Sequence, residues 1–230
     1  MNEIINPNLK NVFKITEEHL EKVFKKKPIK KILFINPPDV DESIFDFDVA
    51  KRGRSNNYPA YGIGVLASKL LDKGYIPKIC NLNHQILKLV QSIKKASDFD
   101  FIESWQKEVD QRIYEFMPDI IGVTCTFSVT HPSFKKVCDY IKSKNPDLPI
   151  VVGGVHVTHD LEEILKSVKS ADFAITNEAE NALDQFLDVV NGKDSCNSLS
   201  QLAFIFKKNF KNINNLSLPT DAELDLIPLY

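Results

Sequence analysis

The stretch Lys31-Ile-Leu-Phe-Ile-Asn-Pro-Pro38 decides how this 230-residue sequence is interpreted. Its apolar part, residues 32–35, is typical of a strand buried on both faces of a sheet, and the two prolines end that strand. Further apolar runs follow at helix-length intervals, at residues 76–82, 119–126, 150–152 and 173–175. Because strands and helices alternate, the sequence predicts a doubly wound α/β domain, with a parallel five-stranded sheet covered by helices on both faces.

The predicted strand order is 2-1-3-4-5, the flavodoxin-like or Rossmann-like arrangement. Pro77 lacks an amide hydrogen, which favours a position near the edge of the sheet for the second strand. A helix is predicted from Pro59 to a stop at Gly74, and residues 85–116 predict two helices with a break near residues 97–100. Residues 39–57 show no periodicity and predict a polar loop.

The two ends of the chain are predicted to be extensions of this domain. Residues 1–30 predict a helical extension with Thr16 as the N-cap of its helix. Residues 31–192 form the predicted domain, and residues 193–230 form a C-terminal hairpin, at residues 202–206 and 210–213, and then a linker.

Composition restricts the classes of partner and compartment. Hydrophobic residues make up 43% and charged residues 26%, and the net charge of −2 favours neither nucleic acid nor an anionic membrane. No apolar run reaches the roughly 18 residues that a membrane-spanning helix needs. Four scattered cysteines form no Cys-x-x-Cys pair and indicate free thiols in a reducing cytoplasm, so we expect a cytoplasmic protein.

Candidate site residues follow the strands, because ligands of open α/β sheets bind outside the carboxyl ends of the strands. Gly153-Gly154 ends the fourth strand, where missing side chains let a large flat ligand approach the backbone. Thr124, Thr126 and Ser128 place hydroxyls after the third strand, where they can bind the edge of a nitrogenous ring. Taken singly, these residues fit a tight turn and ordinary β-forming threonines better.

Together these residues resemble two of the three fingerprints of the cobalamin-binding domains of methionine synthase and the mutases. Thr124 stands where that family has the serine of its Ser-x-Leu element, and Gly153-Gly154 follows at the family's spacing. The third fingerprint, Asp-x-His-x-x-Gly after the first strand, is absent. Asp39-Val-Asp41 occupies that place, and no histidine lies between His19 and His84.

Over residues 31–192 the chain resembles the N-terminal domain of cobalamin-dependent radical S-adenosylmethionine enzymes, which often lack that histidine. The shared motifs are Lys31-Ile-Leu-Phe-Ile-Asn-Pro-Pro38, Pro59-Ala-Tyr-Gly-Ile-Gly64, Pro118-Asp-Ile-Ile-Gly122 and Val151-Val-Gly-Gly-Val-His156. The family's Gly-Glu-Gly-Glu motif reads Asn177-Glu-Ala-Glu180 here, so both carboxylates are kept and both glycines are lost.

The resemblance implies that the chain binds cobalamin without a protein histidine on the cobalt, in the base-off state. It implies that the cofactor is contacted by Asn36, Thr124, Thr126, Ser128, Gly153, Gly154, His156 and Glu178. It further implies a radical S-adenosylmethionine barrel, in cis or in trans, to which cobalamin is presented for methyl transfer or for anaerobic oxidative cyclisation, as of a magnesium-protoporphyrin ester. S-adenosylmethionine and a four-iron four-sulfur cluster would belong to that barrel.

The chain itself carries no Cys-x3-Cys-x2-Cys motif for such a cluster, so we expect no catalysis by the chain alone. Two other functions stay open. A domain of the same family could serve as a scaffold that binds no cofactor, and an oxidoreductase domain could bind a nucleotide or flavin at the same edge of the sheet. Gly62-x-Gly64-x-x-Ala67 matches a dinucleotide fingerprint, but it lies far beyond the first strand and fits helix packing better.

Overall fold

A mixed sheet forms the centre of the computed structural model, which describes residues 7–220 and 227–229. Its seven strands lie in the order β2-β1-β3-β4-β5-β6-β7. They are β1 Lys31–Asn36, β2 Ile76–Asn81, β3 Ile120–Thr124, β4 Ile150–Gly153, β5 Phe173–Ile175, β6 Leu202–Phe206 and β7 Asn209–Ile213. The first five are parallel and lie in the predicted order, with β2 at the edge. The hairpin β6–β7 continues the same sheet antiparallel to β5, so the sheet is larger than the predicted five strands.

Helices cover both faces of the sheet. They are α1 Pro7–Phe24, α2 Phe47–Lys51, α3 Tyr61–Asp72, α4 Leu82–Ser92, α5 Phe101–Phe116, α6 His131–Lys144, α7 Val155–His159, α8 Leu161–Ser167 and α9 Glu180–Val190. Helices α1, α3 and α9 pack on one face, and α2 and α4–α8 supply the apolar core of the other. None of the helices in the described part of the chain is long and apolar enough to cross a membrane.

The alternation of side chains along β1 explains why its sequence is apolar throughout. Leu33 and Ile35 belong to the core on the α4–α8 face, and Ile32 and Phe34 belong to the core on the α3–α9 face. A strand that is buried on both faces needs apolar residues at successive positions, not at alternate ones. The interpretation of this stretch as a doubly buried strand is therefore correct.

Two local predictions are wrong. Thr16 does not cap a helix, because α1 begins at Pro7 and the Thr16 hydroxyl donates to the Val12 carbonyl inside it at 2.8 Å. Residues 39–57 are not an open loop, because they hold a short 3-10 turn, Glu42–Ile44, and the five-residue α2. The Asp46 carboxylate caps α2 by accepting from the Val49 amide at 2.8 Å. A helix of this length is too short for its periodicity to be visible in the sequence.

Helix α1 docks through a half-buried histidine. The His19 ring stacks on Phe204 with centroids 4.8 Å apart, and it contacts Phe173 at the same centroid distance. Its Nε2 lies 3.3 Å from the Asp172 carbonyl, and its Nδ1 is buried without a partner among the described residues. Burial lowers the pKa of His19, more strongly than the Asp172 carbonyl raises it.

The segment that follows the hairpin is held by hydrogen bonds to the rest of the domain, among them those of Gln201 and Leu229. Gln201, with φ of 53°, donates to the carbonyls of Thr176 and Glu178 at 2.7 and 2.9 Å and accepts from the Ser217 amide at 2.7 Å. The Leu229 amide donates to the Gly64 carbonyl of α3 at 3.0 Å. Of the predicted linker, residues 221–226 and 230 lie outside the described residues.

Candidate functional site

A cavity of about 630 Å³ opens at the carboxyl ends of the parallel strands and continues between the sheet and the helix pair α3–α9. This volume is ordinary for a ligand pocket, which typically encloses about 300–1,000 Å³. The mouth lies where β2 and β3 pair with opposite edges of β1, which is the switch point of the strand order. The fold thus places the cavity where α/β sheets bind their ligands.

The inner part of the cavity, here called the floor, has apolar walls. On the sheet, alternate residues of the strands point into the floor, and they are Ile32, Phe34, Ile120, Val151 and Ile175. The helices form the opposite wall with Ile63, Leu66, Leu183 and Leu187. Ile32 lies four residues before Asn36 on β1, so at about 3.3 Å per residue the floor reaches about 13 Å below the mouth.

Polar and aromatic side chains surround the mouth. The polar ones follow the strands and begin α9, and they are Asn36, Asp39, Thr124, Thr126, Thr130, Thr158, Asn177, Glu178 and Glu180. Tyr58, Tyr61 and Phe127 also line the mouth, and each is more than half exposed to solvent. The cavity therefore offers hydrogen-bonding groups at its mouth and none from side chains at its floor.

The second glycine of the pair is required by the protein's own backbone, and the first is closely packed. Gly154 has φ of 105°, and a Cβ there would lie 2.6 Å from the Cys125 carbonyl oxygen and 2.8 Å from Thr124 Oγ1. A Cβ on Gly153 would lie 3.1 Å from the Ile175 carbonyl oxygen. Both glycines line the cavity, but the close approach that they permit is between β4 and its neighbouring strands.

The acidic motif forms the turn from β5 into α9. Asn177 adopts φ of 55°, the left-handed conformation that asparagine tolerates better than most residues, so it can replace the glycine of the resembled motif. Its amide donates to Thr158 Oγ1 at 2.9 Å. At the start of α9, Glu180 Oε2 is buried and has no hydrogen-bond partner among the described residues. The sequence motif contained Glu180, but only the start of α9 shows that it lines the cavity.

Side-chain amides at the ends of β1 and β2 and at the start of α4 organise the other side of the mouth. Asn36 Nδ2 donates to Asn81 Oδ1 at 3.2 Å. Asn83 binds Asp39 twice, by donating to Oδ2 at 3.0 Å and by accepting from the Asp39 amide at 3.1 Å. Burial raises the pKa of Asp39. Sequence reasoning missed Asp39 as a cavity residue, although it noted that Asp39 stands where the related fingerprint has an aspartate.

Six of the eight predicted site residues line the cavity, and Ser128 and His156 do not. These two lie in a neighbouring, shallower cavity of about 370 Å³ together with His131 and Asp160. His156 Nδ1 lies 3.1 Å from Ser128 Oγ and 3.2 Å from Asp160 Oδ2, and its Nε2 lies 3.3 Å from His131 Nδ1. Burial and the neighbouring His156 lower the pKa of His131. Within residues 7–220 and 227–229, no three His, Cys, Asp or Glu side chains are placed to hold a metal ion.

With this geometry established, comparison with known proteins identifies the class. The B12 binding domain family matches residues 54–187, which is more than half of the chain. The chain therefore belongs to the B12 binding domain family, whose cofactor is cobalamin.

Relatives of the chain are longer proteins. An uncharacterised methyltransferase of Pyrococcus horikoshii is 25% identical over 201 residues, which cover 87% of this chain and 38% of the relative. The anaerobic magnesium-protoporphyrin IX monomethyl ester cyclase of Synechocystis is 22% identical over 197 residues, which cover 85% of this chain and 34% of the relative.

Two experimental structures share the fold. The radical S-adenosylmethionine methyltransferase TsrM of Kitasatospora setae, solved with cobalamin and a [4Fe-4S] cluster, aligns with a TM-score of 0.61 at 14% identity, over 87% of this chain and 31% of TsrM. The cobalamin-dependent radical enzyme OxsB, solved with aqua-cobalamin and S-adenosylmethionine, gives 0.56 at 15% identity, over 87% and 23%. The chain thus spans between 23% and 38% of the length of these four relatives.

The residues of the cavity fit cobalamin. The apolar floor accepts a flat ring, the mouth supplies hydroxyls and amides, and the buried Glu180 Oε2 lacks a partner that a ligand could provide. No histidine is among the residues that line this cavity in the described part of the chain.

Proposed function

We propose that the chain binds cobalamin in the base-off state, with the nucleotide tail in the floor of the cavity and the corrin ring at its mouth. The observation that carries this proposal is the depth of the cavity: it continues about 13 Å along the sheet from the mouth, at about 3.3 Å per strand residue, between apolar walls. A ligand held only at the strand ends would need no such floor.

The chain's residues divide into two groups in this proposal. Thr124 and Thr126, with Asn36 and Glu178, offer hydrogen bonds to the polar periphery of the corrin and to the start of the tail. Gly153 and Gly154 line the cavity at the end of β4, and their packing against the neighbouring strands shapes the passage that the tail would enter. When bound, cobalamin supplies the organometallic chemistry, and the protein positions it and excludes water.

Ser128 and His156 do not line the cavity, and in this proposal they support the residues that do. Their hydrogen bond joins the loop after β3 to α7, and so fixes Phe127 and Val155, which line the mouth. None of the described residues that line the cavity is a histidine, and the proposal therefore assigns no protein imidazole to the cobalt.

We further propose that the chain presents cobalamin to a radical S-adenosylmethionine domain, for methyl transfer or anaerobic oxidative cyclisation. The support is that the relatives named above are a methyltransferase, a cyclase and radical S-adenosylmethionine enzymes of greater length. In this proposal residues 31–192 form the cobalamin-binding unit, and the segments before and after it are extensions. The cluster and S-adenosylmethionine belong to the other domain, so we expect no turnover by the 230-residue chain with S-adenosylmethionine and a reductant alone.

Titration with hydroxocobalamin, followed by visible absorption, tests the binding proposal, and reduction to cob(II)alamin followed by electron paramagnetic resonance tests the coordination. We expect saturable binding and a spectrum without superhyperfine splitting from a lower axial nitrogen. Splitting by one nitrogen would disprove base-off binding without an imidazole. No binding would favour the scaffold alternative, and binding of flavin or dinucleotide in a parallel titration would favour the oxidoreductase alternative.

A further inference from the structure

We propose that the cavity floor selects among corrinoids by the polarity of their lower base, accepting a benzimidazole or phenol and discriminating against a purine. This inference rests on the proposed function, because it requires the nucleotide tail to enter the floor. It goes beyond that function in naming the class of corrinoid that the chain uses.

The first observation is the chemistry of the floor's side chains. Ile32 and Ile120 form its lower edge on the sheet, Val151 lies one layer above them, level with Phe34, and Leu183 and Leu187 line the cavity from α9. The polar side chains that line the cavity belong to the strand ends, to the loops beyond them and to the start of α9. Helix α3 also carries Lys69, whose side chain is buried but does not line the cavity. The Lys69 ammonium donates to Asn181 Oδ1 at 2.6 Å.

The backbone of the floor offers no hydrogen bonds either. Strand β1 pairs with β2 and β3 on its two edges, β3 with β1 and β4, and β4 with β3 and β5. The amides and carbonyls of three central strands are therefore used within the sheet. The wall opposite the sheet consists of helices α3 and α9, whose interior backbone groups are paired within each helix.

The shape of the floor suits a flat, apolar ring. Gly122 of β3 has no side chain, and a Cβ there would lie 2.7 Å from Phe34 Cδ1. The Phe34 ring therefore lies against the backbone of β3 and gives the floor an aromatic wall, not a ridge of side chains. Flat rings stack favourably on such a surface.

The energetic consequence depends on how many polar atoms the base carries. Adenine has an amino group and several ring nitrogens, and in this floor they would be buried without partners, each at a cost comparable to an unsatisfied hydrogen-bonding group. A base-off benzimidazole exposes one ring nitrogen, and a phenolic base exposes none beyond its glycosidic oxygen. We therefore expect the adenine corrinoid to bind at least about tenfold more weakly than cobalamin.

A floor that did not discriminate among the bases would reverse the order of affinities for the adenine corrinoid and cobalamin. Adenine is a weaker cobalt ligand than benzimidazole, and a phenol has no nitrogen to coordinate at all. Releasing the base from cobalt is therefore easier for the adenine corrinoid. A floor indifferent to the base would bind it more tightly than cobalamin, whereas an apolar floor binds it more weakly.

The experiment is a spectroscopic titration of the full chain with four corrinoids: cobalamin, the para-cresolyl and adeninyl analogues, and cobinamide, which lacks the nucleotide. We expect the cresolyl analogue to bind at least as tightly as cobalamin, and adeninyl cobamide and cobinamide to bind more weakly. Equal or tighter binding of adeninyl cobamide would overturn this inference and leave the proposed function standing. Equal binding of cobinamide and cobalamin would overturn both the inference and the placement of the tail. No binding of any corrinoid would overturn the proposed function itself.

A substitution tests whether the floor is responsible. Val151→Thr adds a hydroxyl to the floor with almost no change in shape, and we expect the cobalamin preference over adeninyl cobamide to fall severalfold. Val137→Thr is the matched control, since Val137 is buried on α6 against the other face of the sheet and does not line the cavity. An unchanged preference in Val151→Thr, with both variants folded by circular dichroism, would contradict the assignment to the floor.

Discussion

At the scale of single residues, Thr124 is the polar side chain that the sequence and the structure place most consistently at the mouth. It ends β3 and lines the cavity. Thr124→Val keeps the β-branched shape and removes the hydroxyl, so we expect cobalamin affinity to fall about fivefold, or about 1 kcal/mol, with little change in thermal stability. Thr124→Ser should retain most of the affinity. Equal affinities for the wild type and Thr124→Val would remove this residue from the site.

Gly154 shows that a glycine in a binding motif can serve the fold first. Gly154 has φ of 105°, and a Cβ there would lie 2.6 Å from the Cys125 carbonyl oxygen. We therefore expect Gly154→Ala to lower the free energy of unfolding by about 2 kcal/mol or more. Gly62→Ala is the control, because a Cβ on Gly62 meets nothing within 4 Å. Chemical denaturation of both variants measures the difference. A Gly154→Ala variant as stable as wild type would contradict this account, and cofactor affinity is interpretable only after this comparison.

At the scale of elements, the docking of α1 depends on an uncharged histidine. His19 is packed among Phe173 and Phe204, and its pKa is lowered chiefly by burial, with a smaller contribution from Lys22 and an opposing one from Asp172. The pKa of such a group is lower in the folded state than in the unfolded state, where it is 6.5. Its contribution to stability is complete above pH 6.5 and is lost as the pH falls from there through the lower folded pKa.

We therefore expect the free energy of unfolding to decrease between pH 8 and pH 5.5, and His19→Gln to reduce that decrease. Urea unfolding of the two proteins at both pH values measures it. His84 is exposed to solvent on α4, so His84→Gln is the matched control for the loss of an imidazole outside the contact of α1. The same decrease in His19→Gln as in wild type would assign it to other groups.

The outer side of α3 is a second contact between elements. A Cβ on Gly64 would lie 2.8 Å from Pro228 Cβ and 2.9 Å from the Leu229 carbonyl oxygen, so Gly64→Ala should displace residues 227–229 from the helix. Gly62→Ala on the same helix should leave them in place, although both changes raise helix propensity by up to about 1 kcal/mol. Hydrogen exchange of the Leu229 amide reports the contact, and equally slow exchange in the two variants would show that the segment tolerates the methyl group.

At the scale of the whole molecule, the sequence predicted the parallel part of the fold well. Apolar runs such as residues 32–35 and 150–152 indicate by their composition alone that these strands are buried on both faces. The helices between the strands then restrict the topology to a few arrangements. The place of the hairpin was not predictable, because its pairing with β5 rests on two residue pairs, Ala174↔Ala203 and Ile175↔Leu202, that are distant in sequence.

The site was predictable in its mouth but not in its floor. Thr124 and Gly153 follow strands directly, so the rule that ligands bind at strand ends finds them. Leu183 and Leu187 line the cavity only because α9 crosses that face of the sheet, and in sequence they are indistinguishable from ordinary core residues. His156 matched a family motif, yet its side chain turns toward His131, which shows that a motif fixes a backbone position and not the direction of its side chain.

Gln201 has a mechanical consequence. The Gln201 side chain binds both the turn that contains Thr176 and Glu178 and the Ser217 amide. Because this side chain is buried, it has little freedom to move. The backbone at Ser217 is therefore tied to the turn before α9 through Gln201, and Gln185 of α9 also donates to the Ser217 hydroxyl at 3.2 Å. We therefore expect a displacement of the segment after the hairpin to move the turn that carries Glu178, which lines the mouth of the cavity.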